Sequence, residues 1–93
     1  MTETIIMSGD LDLATAEEAW NALRFSIAQY GPRLILDLSE LTFLDCAGLR
    51  VLLRAREECE AAGGYLHVTE PQGEVLRLLE LLESEISFRE AVS

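Results

Sequence analysis

Cys46 is the strongest candidate nucleophile in this chain, and His67 is its only histidine. A thiol needs an adjacent base to act as a catalytic nucleophile. These two fall in different kinds of segment. Cys46 follows Asp45 at the opening of a helical pattern, His67 lies in the middle of an alternating run, and nothing in the spacing brings them together. His67 therefore reads as structural, and thiol catalysis is not expected. Nor do Cys46, Cys59 and His67 make up the four ligands of a structural zinc site. Cys59 lies on the apolar stripe of its helix and reads as a small buried hydrophobe. A bridge from it to Cys46 would span several turns of one helix, too far for a disulfide. There is no glycine-rich phosphate loop, and Gly63-Gly64 reads as a helix stop. There is no G-x-S-x-G elbow either. With 17 acidic residues, carboxylate pairs occur everywhere and mark no acid–base site. What remains is Asp45-Cys46-Ala47-Gly48. Asp45 suits an N-cap, because its carboxylate can accept from the free N–H groups of a first helical turn. Cys46 then falls at the positive end of the helix dipole, a place suited to carry or meet an anion.

The elements that position this loop can be read on either side of it. Leu34–Leu38 is an apolar run short enough for a buried strand, and Leu41–Leu44 is a second, brief apolar patch. Leu34, Leu36 and Leu38 share one face; Ile35 and Asp37 share the other. So apolar a strand is expected to be covered on both sides over most of its length. After Asp45, Leu49, Leu52, Leu53 and Cys59, with Ala55, follow at helical spacing, and the helix is predicted to run to about Ala62. Arg50, Arg54 and Arg56 lie away from the leucine stripe, as a solvated face or a partner surface. Arg54 is spaced to pair with Glu57 and Glu58.

Upstream, Thr4–Ser8 reads as a short strand and Gly9–Asp12 as a turn. Thr15-Ala16-Glu17-Glu18 fits a capping box. Ala16, Ala19, Trp20, Leu23, Ile27 and Tyr30 form one stripe, with Trp20 as core or rim, and Gly31-Pro32 ends the helix. Downstream, Tyr65–Thr69 alternates as a strand. Pro71 stands near the next helix start, and Val75, Leu78, Leu79 and Leu82 form a second stripe. Ile86 and Phe88 suggest a last short strand. The order β-α-β-α-β-α-β implies a largely parallel sheet with right-handed crossovers, and sites in such folds gather beyond the carboxyl ends of the strands.

Composition bounds the function. Ninety-three residues, 49% of them apolar, with mean hydropathy +0.18, make one globular domain. The net charge of −10 and a pI near 4.3 argue against nucleic acid and anionic membrane surfaces, and favour a partner with a basic face. No apolar run approaches the roughly 20 residues of a membrane span. The first residues do not resemble a signal peptide, so the cytoplasm is the expected compartment.

Asp37-Leu38-Ser39, Leu41 and Phe43-Leu44-Asp45-Cys46-Ala47-Gly48-Leu49 together resemble the signature of the anti-sigma factor antagonists, which belong to the STAS domain family shared with sulphate transporters. Gly9–Asp12 through Ala14-Thr15-Ala16 is similar to that family's approach to its first helix, and Gly64–Thr69 with the leucine-rich helix after it matches in order. The resemblance covers nearly the whole chain, so residues 1–93 read as a single STAS-like domain. It implies an α/β fold with about four strands in a mixed, mostly parallel sheet and three helices.

It also implies a binding module without catalysis or cofactor, whose partner is an anti-sigma factor that is itself a serine/threonine protein kinase. The partner-binding loop and switch position would be Asp45, Cys46, Ala47, Gly48, Leu49 and Arg50, with Asp10, Asp12, Ser39 and Thr42 in support. This sequence departs from the family at the switch, carrying Cys46 where the phosphorylated Ser or Thr stands, with Ala47 beside it. It also lacks the extra N-terminal edge strand of many members. That would leave a sheet edge open to weak self-association. Two other functions fit the resemblance: a STAS adaptor subunit in a transporter ATPase or stress-signalling assembly, and a redox sensor in which Cys46 replaces the phosphosite.

Overall fold

The computed structural model of the chain describes residues 2–86, with side chains described as far as Leu81. The elements run β1 (Glu3–Leu11), α1 (Ala16–Tyr30), β2 (Arg33–Leu44), α2 (Cys46–Ala61), β3 (Tyr65–Thr69) and α3 (Gly73–Ile86). Among the described residues the sheet has three strands in the order β1-β2-β3, and both pairings are parallel. The expected fourth strand and the antiparallel component of a mixed sheet are not part of it. Ile86, proposed to open that strand, instead closes α3. Phe88 and the Leu82 side chain lie outside the described residues. Right-handed crossovers that step twice in one direction put both connecting helices on the same face, and α1 and α2 pack against each other there.

That covered face is leucine-rich. Leu34, Leu36 and Leu38 of β2 are fully buried between Leu66 and Val68 of β3 and the partly buried Ile5 and Met7 of β1. Trp20 and Leu23 come down from α1, and Leu49, Val51, Leu52, Ala55 and Cys59 from α2. Val75 and Leu79 of α3, which packs against β2, complete the cluster. The other face of β2 is half-buried at Ile35 and Asp37, so the strand is less evenly covered than its apolar run suggested. Tyr30, expected on the α1 stripe, is exposed.

β2 is one long strand, not a short strand followed by a loop. Two register shifts against β1, between Ile6 and Ser8 and again between Gly9 and Asp10, each fit one extra residue into β2. An extra residue turns the following side chains to the opposite face. The triplet spacing Leu38, Leu41, Leu44 therefore keeps all three buried in one strand. The same bulges extend β1 through Gly9-Asp10-Leu11, where a turn was expected; the turn falls at residues 12–15.

Leu36 and Leu52 both have no exposed surface. Truncating either to alanine is expected to cost roughly 2–5 kcal/mol. Urea unfolding checks this, with half-buried Leu53→Ala as the smaller comparison.

Candidate functional site

The carboxyl ends of β1 and β2 meet the N-terminus of α2, and Asp45 joins all three. Its extended backbone (φ −116°, ψ −173°) makes it the N-cap residue, and its Oδ1 accepts from the Gly48 N–H at 2.9 Å. Oδ2 accepts from the Leu13 N–H at 3.3 Å, and the Asp45 N–H donates to the Leu11 carbonyl at 3.3 Å. The carboxylate is thus engaged on both oxygens, and its part in the site is to hold the β1–α1 turn against the α2 terminus. Helix α2 begins at Cys46, as expected from the Asp45 cap.

Gly48 makes the junction close. A Cβ built there would stand 2.1 Å from the Leu11 carbonyl oxygen and 2.9 Å from Leu11 Cγ. Only a residue without a side chain lets the first turn of α2 lie so near the end of β1.

The six loop residues singled out from the sequence divide by exposure. Cys46 and Arg50 are exposed, Asp45 and Ala47 are half-buried, and Gly48 and Leu49 are buried supports beneath them. Arg50 stands four residues, about one turn, after Cys46, on the same side of α2. Arg54, one turn further, places its guanidinium 4.1 Å from the centroid of the Trp20 ring, where pairing with Glu57 and Glu58 was expected. The ion pair on α2 is Arg56 Nε to Glu60 Oε2 at 3.9 Å.

The supporting residues have local duties. Asp12 Oδ1 accepts from the Ala14 and Thr15 N–H groups at 3.0 and 3.1 Å. The Thr15 hydroxyl turns back to donate to the Asp10 carbonyl at 2.9 Å and to accept from the Asp12 N–H at 3.0 Å. It makes no side-chain cap bond to α1, so the expected capping box does not form. The reason is competition: Asp12 and Thr15 satisfy each other within the turn. Thr42 Oγ1 lies 3.1 Å from the Gly9 carbonyl and 3.2 Å from Asp10 Oδ1, pinning the second bulge. Ser39 stands apart, with roughly 16 Å of strand between it and Leu44. Its N–H, freed at the first bulge, donates to Asp37 Oδ1 at 2.9 Å. That backbone bond, joined by one from the Ser39 side chain, holds the Asp37 carboxyl below its usual pKa.

The exposure of two apolar residues, Leu13 and Phe43, escaped the sequence reading, which named Phe43 only as part of the signature. Leu13 is 80% exposed in the turn held by Asp45, and Phe43 is 42% exposed two residues before Asp45. The signal for Leu13 was an apolar residue set among turn formers, in Gly9-Asp10-Leu11-Asp12-Leu13.

Both cysteines are free, Cys46 exposed and Cys59 buried. Burial, with Glu58 and Glu60 nearby, pushes the Cys59 thiol up to about 11. Alkylation of the native protein is expected to modify exposed Cys46 well before Cys59, which is buried and whose raised pKa leaves little of the reactive thiolate. Peptide mapping by mass spectrometry reads the two rates; equal rates would mean that α2 opens readily. His67 stacks on Tyr65, with ring centroids 4.4 Å apart, opposite Ile35 in mid-sheet. Most of the length of β2 separates it from Cys46. Among the described residues no cluster of acidic, histidine and cysteine side chains could hold a metal ion, and no helix is long and apolar enough to cross a membrane.

This α/β unit matches the family model of the STAS domain over residues 4–91, and the chain belongs to that family. Its structure is similar to that of a Thermotoga maritima protein assigned as an anti-sigma factor antagonist, with TM-score 0.79 and 18% identity, covering 92% of this chain and 76% of that one. It is similar also to the anti-sigma factor antagonist SpoIIAA in its unphosphorylated form, with TM-score 0.76 and 22% identity over 92% of this chain and 75% of that one. A sulfate transporter family protein from Wolinella succinogenes aligns with TM-score 0.72 and 21% identity, over 99% of this chain and 71% of that one. At these identities the likeness is one of fold.

Proposed function

We propose that this STAS domain is an anti-sigma factor antagonist in type: a cytoplasmic binding module that sequesters an anti-sigma factor and so regulates transcription. The observation that carries the reading is the placement of Cys46. It is exposed at the first position of α2, on a junction fixed by Asp45 and Gly48, beside exposed Leu13, Phe43 and Arg50. Leu13 and Phe43 offer apolar anchors of the kind that carry interface energy. Arg50 adds a cation, and the overall charge of −10 draws in a basic partner.

In this reading Cys46 occupies the position where a kinase partner phosphorylates other family members. A phosphate there adds about −1.5 to −2 charges to the docking surface and separates the pair. A thiol takes no such phosphate, so the domain stays in its binding-competent form. Affinity capture with mass spectrometry identifies the partner, and Cys46→Ser then tests the switch. With the partner and ATP, wild type is expected to incorporate no phosphate at position 46, whereas Cys46→Ser incorporates it and is released. A serine variant that binds a kinase-type partner and still takes no phosphate overturns the switch; capture of a transporter ATPase favours the adaptor reading instead.

A further inference from the structure

We propose that the outer edge of β1, together with the adjoining side of α1, is the contact through which two copies of this chain form a two-fold symmetric dimer. Among the described residues β1 is an edge strand, with no neighbour beyond it. Such an edge offers a row of free backbone donors and acceptors, which proteins usually protect with charge or proline. Here Thr4 through Gly9 carries neither. Ile6, at its centre, is 60% exposed.

The side of α1 above this edge is also short of charge. Ala22 and Gln29 are exposed, Ser26 is half-exposed, and Phe25 is 64% exposed, with Glu18 at the end of the row. Between helix and strand lies a cavity of about 370 Å³, floored by Ile5, Met7 and Leu23 and walled by Ala22 and Ser26, with Asp10 and Glu18 as its charged lining. In a chain where 26% of residues are charged, a continuous surface of this kind has the depleted charge of an interface core.

The strand sequence selects the register. Antiparallel pairing about a two-fold axis at Ile6 sets Ile6 against Ile6, Ile5 against Met7, Thr4 against Ser8 and Glu3 against Gly9. No two carboxylates then face each other. A slip of one residue sets Glu3 opposite Asp10, and like charges directly opposite are destabilising. The slip also turns one sheet over, sending the two α1 helices to opposite faces. In the register at Ile6 both lie on the same face. Paired strands stand about 4.8 Å apart and α1 packs over both β1 and β2, so the two α1 helices come to roughly 10 Å, the spacing of packed helices. Phe25, Ala22 and Ser26 then meet their counterparts across the cavity. A second copy satisfies this surface symmetrically, as an isologous contact requires.

The contact is independent of the docking reading at α2, so either can fail alone. Sedimentation equilibrium from micromolar to millimolar concentration tests it on the intact chain, with melting temperature as the folding control. Wild type is expected to dimerise, and more tightly as salt screens the charge of −10 on each copy. Ile6→Lys and Ile6→Glu should each weaken the dimer roughly tenfold or more, because position 6 meets itself. Mixed together, they should pair as a heterodimer, which only a register centred on Ile6 provides. A wild-type monomer at every concentration, a dimer indifferent to Ile6→Lys, or two variants that fail to pair would each overturn the proposal. Self-association that weakens with salt would also overturn it, because it would rest on opposite charges and not on this uncharged edge.

Discussion

Gly48→Ala is expected to lower the melting temperature by roughly 10–20 °C. The sign is the informative part. Alanine is the better helix former by up to about 1 kcal/mol, so at an unhindered helical position the change would stabilise. At position 48 the new methyl would meet the Leu11 carbonyl oxygen at 2.1 Å and its carbon at 2.8 Å, and neither is the yielding end of a flexible side chain. Either α2 lifts off the end of β1 or the strand end moves. Both disturb the Asp45 bonds to Gly48 and Leu13. The steric cost, roughly 2–3 kcal/mol, outweighs the propensity gain. Thermal unfolding followed by circular dichroism measures the outcome, and an unchanged or raised melting temperature would mean that α2 does not sit against Leu11.

Cys46→Glu is expected to weaken binding to the proposed anti-sigma partner tenfold or more, about 1.4 kcal/mol, while leaving the fold intact. A carboxylate at the first position of a helix is favoured by the dipole by roughly 0.3–1 kcal/mol, so the melting temperature should hold or rise slightly. The loss must then come from the interface, where the glutamate adds bulk and a negative charge at the position the switch would phosphorylate. Affinity and melting temperature measured on the same preparation separate the two effects. A folded Cys46→Glu protein that binds as tightly as wild type would move the docking surface away from this loop.

The Asp45 N-cap, the start of α2 at Cys46 and the burial of Leu36, Leu52 and Cys59 were all legible in the sequence. They follow from periodicity and from one carboxylate serving N–H groups three residues away, and both are local. The capping box at Thr15 failed for a local reason too, since a second good acceptor, Asp12, stood three residues upstream. The full length of β2 could not be read. Leucines three apart at 38, 41 and 44 fit neither a regular strand nor a helix, and become a strand only when β1 accommodates two bulges beside it.

By itself, then, the sequence determined the order of the elements from β1 to α3 and most of the apolar faces that pack them. Each depends on residue type and on spacing within one element. The tertiary structure alone decided which of Asp45–Arg50 are exposed, that Leu13 and Phe43 stand exposed, and that Gly48 must have no side chain. Exposure and close approach depend on what another segment puts opposite a residue, and here that segment is Leu11, more than thirty residues upstream.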